Sequence, residues 1–503
     1  MEGCTSREVV AWSMKKTIII LVFAGIDFLF AESTVFAQLS VTNNKDTINQ
    51  KSISTPFVRS PAGRVGIVLS EGLVFNIGMN RFDLFILKRE YARVTMSNFQ
   101  YNLTHKSAWD NEMLFTNMIA HPYAGGVYFN AARANGFNFW QSIPFSVVGS
   151  YVWEYFGENQ RASLNDLVAT PVGGIAFGEI THRLSHLVLD DSQRGWKRFG
   201  NELLAGVISP MDFFNRILNG DAWRFSPRVY NGKSHYPRPA FLVDFSVYNR
   251  FITDLNNNKS DENMGVKCSV VYGEAFTLQN PNPYDFFTFN IDFNLLGKQS
   301  VLSEVNLVGI LWGKGWNRTE NSWLAGIFQH FEYYESNPIV KGGRRLYEFS
   351  ETGSFGGGLL YKNQREENKP PRFCGSVYAN FVFFGGSELY YTQDSYNHGY
   401  GYSIKLNGLF HFEKRWDASF EFKRHHIFSY KDPDDFRKKG NASRNMLNLN
   451  IDFQLSRKIK ISAEQRFHFR NAHFDYLDDV EASLMENRLK LTYTLSDTYH
   501  HNK

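Results

Sequence analysis

The sequence predicts an α+β membrane protein in which an N-terminal helical domain is followed by an antiparallel transmembrane β-barrel of about 12 strands. Three observations support this prediction. The chain begins with an export-signal pattern, continues with helical patterning, and ends in a long series of segments that alternate apolar and polar residues. The predicted boundaries are a signal peptide at 1–37, a flexible lead-in at 38–60, a helical domain at 61–220 and a barrel at 221–498.

The N-terminal residues have the pattern of a bacterial secretory signal. Lys15 and Lys16 precede an apolar run over residues 18–30, and Val35-Phe36-Ala37 supplies small residues for cleavage. A transmembrane anchor is the alternative, but the run is short and Asp27 interrupts it. Export together with a barrel predicts location in the bacterial outer membrane, with the helical domain on the periplasmic side.

The helical part begins after a polar lead-in. From residue 61 to 220, period-two alternation gives way to helical patterns punctuated by Gly and Pro. The sequence predicts helices at about 62–88, 111–134, 141–157, 163–189 and 199–218, each apolar enough to be buried or to lie at a membrane interface.

The barrel prediction depends on strict period two. In one segment Phe287, Phe289, Ile291, Phe293 and Leu295 alternate with Thr288, Asn290, Asp292 and Asn294. Such alternation places one set of side chains on each face of a strand. The predicted strands are about 239–251, 265–275, 286–297, 300–313, 322–335, 344–362, 372–386, 399–413, 417–430, 444–456, 458–471 and 484–496. A soluble sandwich is the alternative, but its apolar face belongs to a shared core, whereas closure pairs every backbone group in lipid.

Charged residues fall on the faces predicted to point inward. Near the end of the chain, every second residue from 464 to 470 is charged or a histidine: Glu464, Arg466, His468 and Arg470. The same holds on an earlier strand for Glu421, Lys423 and His425, so each set lies on one face of its strand. One interpretation is a salt-bridge network that fills a narrow lumen, and the other is a selectivity path or substrate groove.

Composition excludes several classes of protein. Mean hydropathy is −0.34, which argues against a polytopic helical membrane protein. The formal net charge is +4 with no long basic block, so no nucleic-acid partner is expected. We expect outer-membrane lipids and the barrel-insertion machinery as partners and no cofactor, while any small-molecule substrate stays unknown.

The helical part carries a dense set of polar motifs. They run from His121-Pro122 through Gly149-Ser150 and Ser163-Leu164-Asn165-Asp166 to Gly174 and Gly178-Glu179. The order of motifs resembles DUF3943, a family of unknown function found mainly in bacteria with outer membranes. The matching positions over about residues 100–220 are Asn117, His121, Gly125, Tyr128, Arg133, Gly136, Ser142, Trp153, Glu154, Ser163, Asn165, Asp166, Gly174, Gly178, Glu179 and Arg183. The resemblance implies no activity.

Several of these residues have structural explanations. Ser163 suits a helix cap, because Asp166 follows it by three residues. Gly174 and Gly178 form a small-residue seam for a neighbouring helix, and Glu179 pairs with Arg183 at i, i+4. Glu154 is harder to explain, because it lies near the C-terminal end of a helix, where the dipole disfavours a carboxylate. A structural polar network and a functional site both remain open for it.

Two classes of function follow. The first is a structural or transport barrel whose helical domain closes, supports or gates the periplasmic end. The second is a hydrolase or transferase for lipid or envelope glycan, with His121, Glu154, Asp166 and Glu179 as the catalytic hypothesis. Its accompanying binding residues would be Asn117, Tyr128, Arg133, Glu158, Asn165 and Arg183.

A metal site is a third hypothesis. Glu179, His182 and His186 lie on roughly one helical face, and Glu154 is a further candidate ligand. The spacing is common by chance and lacks the HExxH order of zinc hydrolases, so the sequence predicts no metal.

Overall fold

The protein is described here by a computed structural model covering residues 61–109, 114–225, 229–230, 233–234, 239–318, 320–339, 347–363, 371–388, 396–413, 415–431 and 439–496. The predicted signal peptide and lead-in lie outside these residues. Seven α-helices precede the barrel in the described part of the chain. They are α1 (Pro61–Phe85), α2 (Met96–Thr104), α3 (His121–Ala134), α4 (Phe139–Phe156), α5 (Leu164–Val188), α6 (Gly195–Ile208) and α7 (Pro210–Leu218).

Local sequence explains where the main helices begin. Thr95 and Asn98 form a capping box at α2, and Asn138 and Gln141 form another at α4. Ser163 accepts from the backbone N–H of Asp166 and caps α5, as the sequence predicted. The predicted helix at 199–218 is instead two helices, because the chain turns at Ser209 and Pro210 restarts it at the first helical position.

Fourteen strands follow within the described residues. A two-residue pair, β1 (Val229–Tyr230) and β2 (Lys233–Ser234), precedes the barrel. The barrel strands are β3 (Phe241–Asp254), β4 (Lys259–Tyr272), β5 (Phe287–Leu296), β6 (Leu302–Asn317), β7 (Asn321–Ser336), β8 (Tyr347–Asn363), β9 (Phe373–Glu388), β10 (Tyr396–Glu413), β11 (Trp416–Ser429), β12 (Gly440–Gln454), β13 (Ile459–Phe474) and β14 (Val480–Ser496). Each pairs antiparallel with its neighbours, and β14 closes the ring against β3. The predicted fold class and its twelve barrel strands are confirmed.

One of the predicted connections was wrong. The polar stretch 252–264 is not a long loop, because β3 runs to Asp254 and β4 starts at Lys259. The segment is polar on both faces, and this composition suggested a loop. Its residues nevertheless pair in the strand ladder between β3 and β4.

The two faces of the barrel wall differ in chemistry. Ion pairs join strands that are far apart in the ring, as between Arg466 on β13 and Glu304 on β6. The face of each strand that carries these charged side chains therefore points into the lumen. The opposite face of the strands carries large apolar side chains, of which Phe381, Leu489 and Leu491 are 59%, 63% and 54% exposed. A wall that is apolar outside and charged inside is the arrangement of a membrane-spanning barrel.

Helix α5 lies across the outer face of this wall. Phe177 packs edge-on against Phe331 of β7, with ring centroids 4.8 Å apart. Gln329 Nε2 donates to the carbonyl of Val172 at 3.0 Å. His330, between these two β7 residues, contacts Lys405 in the lumen, so Gln329 and Phe331 point outward. The helices therefore flank the barrel rather than enter its lumen at this position.

One apolar core joins the helices to the wall. Its helical members include Phe129, Phe139, Ile175, Ala176 and Ile180, and its barrel members include Tyr272, Phe287, Val305, Leu307, Phe331 and Tyr333. Because both sides bury side chains in the same cluster, the helices and this sector of the wall stabilise each other.

The surface of the helices that faces away from the barrel is also apolar. Exposed residues there include Leu73, Val74 and Phe85 on α1, Trp140 and Val147 on α4, and Trp196 and Leu203 on α6. Within the described chain, Ala62–Phe85 is the one helical stretch whose length and composition would allow it to cross a membrane. Only 17% of its most apolar 18 residues are buried. Extended exposed apolar surface of this kind is typical of contact with lipid or protein.

Candidate functional site

Three of the four proposed catalytic residues lie together at the N-terminus of α5. His121 on α3, Glu154 on α4 and Asp166 on α5 each offer a ligand-type atom within 4.8 Å of the others. His121 Nε2 is 3.6 Å from Asp166 Oδ1, and both carboxylates are buried. The sequence motifs thus converge in space, although they come from three different helices.

The position of Glu154 resolves the difficulty raised by the sequence. Its Oε2 accepts a hydrogen bond from the backbone N–H of Ser163 at 2.9 Å. Ser163 is the N-cap of α5, so the carboxylate lies at the positive end of that helix dipole. The end of α4 is an unfavourable place for a carboxylate, but the start of the next helix compensates.

Glu179 does not join this cluster. It follows Asp166 by thirteen residues on α5, which corresponds to about 20 Å along a helix. Its carboxylate is fully buried between two guanidinium groups, with Arg133 Nε and Arg183 Nε each at 2.8 Å. Arg183 also donates to the carbonyl of Pro283 at 2.7 Å in the loop before β5. The predicted i, i+4 pair is present, and its role is to tie α3, α5 and the barrel together.

The proposed binding residues are distributed among several environments. Tyr128 donates its hydroxyl to Asn76, and burial raises its pKa, as does the nearby Glu154 carboxylate. Glu158 accepts from Trp153 Nε1 at 2.8 Å, and Asn165 donates to Asp166 Oδ1 at 3.3 Å. Asn117 is completely buried. Of these, Asn165 and Tyr128 adjoin the His121 cluster.

A second polar cluster was only half anticipated. His182 Nδ1 lies 3.0 Å from both carboxylate oxygens of Asp212, and His186 completes a group whose ligand atoms lie within 4.8 Å. The sequence pointed to the two histidines but paired them with Glu179. Asp212 comes from α7, and no spacing rule connects it with a histidine on another helix.

The charge state of Asp212 reflects these contacts. Burial alone would raise the pKa of its carboxyl, but the charge of His182 and the hydrogen bond from it hold that pKa below the ordinary value. Asp212 is therefore an anion at neutral pH, and Ser209 Oγ donates to it at 2.7 Å.

The barrel lumen holds a dense network of both signs. Glu332 contacts Lys405 and Lys423 at 3.0 Å each, and His425 lies 3.0 Å from Glu351. Arg488 contacts Asp292 at 2.6 Å, and Tyr334 on β7 donates to Glu486 on β14. The predicted inward orientation is observed for these charged residues and histidines: Glu464, Arg466, His468, Arg470, Lys423 and His425.

Comparison with known proteins supports the resemblance seen in the sequence. Residues 106–211 match the family model described as a domain of unknown function, DUF3943. No curated protein matches the chain.

Solved structures with similarity to the chain include a porin, a channel and a transporter. They include the NanC porin, at 8% identity over 50% of this chain and 100% of that chain with a TM-score of 0.26. An outer membrane channel from Pseudomonas putida F1 is 9% identical, over 54% and 99% of the two chains, with a TM-score of 0.30. The toluene transporter TodX of Pseudomonas putida is 10% identical, over 52% and 90%, with a TM-score of 0.22.

The fold assignment rests on the barrel itself. Its closed ring of twelve strands, apolar outer face and charged lumen are the features of an outer-membrane β-barrel protein.

Proposed function

We propose that the barrel is a closed support in the outer membrane and that it holds the helical domain against its lipid-facing wall. The observation that carries this proposal is the bridging of the lumen by ion pairs. Arg466 on β13 reaches Glu304 on β6 at 2.7 Å, and these strands stand five places apart in a ring of twelve. Side chains from nearly opposite walls therefore meet, and little space is left for a passing solute.

The charge balance of the lumen supports a structural role as well. A selective pore usually lines its constriction with one sign of charge, which attracts the solute and then releases it. Here several cations have anionic neighbours: Lys423 contacts Glu332 and Glu421 at 3.0 Å each, and Arg488 contacts Glu486 at 2.8 Å. The paired groups neutralise one another, so the network resembles a packed polar core.

Conductance measurements test the closed state. We expect the purified protein to give no steady conductance in planar bilayers. The double variant Glu304→Ala, Arg466→Ala should create conductance steps, because it removes an ion pair that spans the lumen. A matched control removes the exposed pair Lys439 and Asp475, whose side chains are 59% and 33% exposed, and should leave the bilayer silent. Steady wild-type conductance would contradict the proposal.

The periplasmic side is the proposed location of the helical domain. The chain leaves the helices and enters the barrel at the start of β3, the barrel end at which β14 also finishes. The two shortest connections between barrel strands, after β6 and after β10, are at that same end, and barrels of this kind keep their short turns in the periplasm. Arg183, near the C-terminal end of α5, contacts the loop before β5 at this end, while Met118 contacts Thr352 of β8 toward the other end, so the helices extend from this end along the wall.

A hydrolase or transferase acting on lipid or envelope glycan is the second candidate. The convergence of His121, Glu154 and Asp166 favours it, because a histidine beside buried carboxylates is the usual general acid–base arrangement. Glu179 has no part in it, since two arginines occupy its carboxylate.

The variant His121→Gln distinguishes the two candidates. Glutamine keeps a polar side chain of similar reach beside Asp166, so we expect the fold to survive. If the site is catalytic, envelope lipid or glycan composition should change as it does in a deletion strain. If the barrel is a support, the composition of the His121→Gln strain should equal that of wild type while the deletion strain differs. Mass spectrometry of envelope extracts makes the comparison.

A further inference from the structure

We propose that His182, His186 and Asp212 form a binding site for a divalent transition-metal ion, with zinc as the expected occupant. The inference is independent of the closed-barrel proposal, since the site lies on the helices α5 and α7. One ligand-type atom from each residue lies within 4.8 Å of the other two. Two imidazoles and one carboxylate make the ligand set that catalytic zinc sites use, with a further position open to water.

The two histidines are placed by the helix. His182 and His186 are separated by four residues on α5, so their side chains lie on one face, and their ring centroids are 4.4 Å apart. A histidine pair at this spacing within a helix can bind one metal ion from two successive turns.

The orientation of His186 is suited to ligation. Its Nδ1 lies 2.8 Å from the carbonyl oxygen of His182, which accepts only if Nδ1 carries the proton. The lone pair is then on Nε2. Metal-binding histidines commonly donate their other ring N–H to a backbone carbonyl in this way. His186 is exposed, so an ion from solvent can reach it.

Asp212 is held in place by groups that do not compete for a metal. Ser209 Oγ donates to Asp212 Oδ2 at 2.7 Å, and Ser185 Oγ donates to the same atom at 3.2 Å. Asp212 Oδ1 lies 3.0 Å from His182 Nδ1. The carboxylate is thus preoriented by the hydroxyls, and hydrogen-bonded carboxylates of this kind surround most metal sites.

A positive side chain near the histidines is engaged elsewhere. Arg216 approaches from α7, but its guanidinium contacts Asp191 at 2.5 Å and Glu202 at 2.7 Å. Its charge is paired with these two carboxylates, so it does not take the place of a metal ion beside the histidines. By contrast, the lumen group Glu332, Glu351 and His425 has Lys405 within 3.1 Å of both carboxylates, so a cation is already present there.

The experiment is a zinc titration of the full chain, purified without a histidine tag and stripped with chelator. Calorimetry should show one zinc per chain. His186→Gln should weaken binding at least about 100-fold, since losing a ligand exceeds the 10- to 100-fold cost of losing an outer-shell partner. His186 is exposed, so this variant should fold normally. Ser209→Ala should weaken binding about 10-fold by releasing Asp212.

The control is His411→Gln in the barrel. His411 pairs with Asp417 at 2.5 Å, as His182 pairs with Asp212, but no third ligand joins them within the described residues. It should bind zinc as wild type does. Equal zinc affinity in His186→Gln and wild type, or no zinc binding by the folded wild-type chain, would overturn the proposal.

Discussion

Replacing Gly174 with alanine is expected to separate helices α3 and α5 and to unfold the helical domain. A Cβ at Gly174 would lie 2.4 Å from the carbonyl carbon of Gly125 and 2.6 Å from its Cα. These are backbone atoms, which cannot rotate away as a side chain can. Overpacking against side chains costs about 1–3 kcal/mol, so we expect at least about 3 kcal/mol of lost stability here.

The same contact exists from the opposite helix. A Cβ at Gly125 would lie 1.8 Å from the carbonyl oxygen of Thr170. The small-residue seam predicted from Gly174 and Gly178 is thus matched by Gly125 and Gly126 on α3, and close backbone approach is its purpose.

Thermal unfolding followed by helical circular dichroism in detergent measures this effect. A control variant, Gly78→Ala, places its Cβ in open space on α1. Since alanine favours the helix over glycine by about 0.5–1 kcal/mol, the control should be unchanged or slightly more stable. A Gly174→Ala protein with wild-type helical stability would show that α3 and α5 are not packed as described.

The second large effect is expected for Glu179→Gln. This substitution keeps the shape of the side chain and removes its charge, so Arg133 and Arg183 lose the carboxylate that each contacts at 2.8 Å. Removing one partner of a buried ion pair costs about 3–5 kcal/mol when the remaining charge is left uncompensated, and this applies to Arg133, whereas Arg183 keeps Asp285 at 3.3 Å. Arg183 also holds the loop before β5, so the attachment of α5 to the barrel should weaken too.

Limited proteolysis and thermal unfolding together measure this second effect. We expect Glu179→Gln to unfold at lower temperature and to release fragments of α5 sooner than wild type. Glu90→Gln is the matched control: Glu90 pairs with Arg93 at 3.4 Å, but the two side chains are 78% and 68% exposed. An exposed pair contributes little, so this control should behave as wild type. Indistinguishable Glu179→Gln and Glu90→Gln proteins would refute the structural role of the buried carboxylate.

The barrel strands were predictable because each carries its own local signature. Alternation of apolar and polar residues over ten or more positions can be recognised within one segment, without knowledge of the neighbouring strands. The alternation around Ile291 in β5 is an example. The cap at Ser163 and the glycine seam at Gly174 were predictable for the same reason. Each depends on residues within one or two helical turns.

The covering of the wall by helices was not predictable. Phe331 and Phe381 both occupy outward positions in the barrel, and the alternation around them is the same. Phe331 is completely buried beneath α5, whereas Phe381 is 59% exposed. An apolar side chain satisfies lipid and helix equally, so the sequence cannot tell one partner from the other.

The candidate sites were only partly predictable, because they depend on contacts between helices. Glu154 is explained by the N-terminus of α5, and Asp212 joins His182 from a helix that begins more than twenty residues later. Glu179 shared a helical face with His182, which suggested a common site, but its charge is taken by Arg133 from α3.

Photocrosslinking from the outer wall tests the central claim that α5 lies against the barrel's lipid-facing surface. Benzoylphenylalanine replaces Phe331 in one variant and Phe381 in another, and both proteins are irradiated in membranes and mapped by mass spectrometry. We predict that the probe at position 331 joins peptides of α5 containing Phe177, 4.8 Å away between ring centroids, while the probe at 381 joins lipid. Lipid adducts at both positions, with no α5 peptide from 331, would contradict the account.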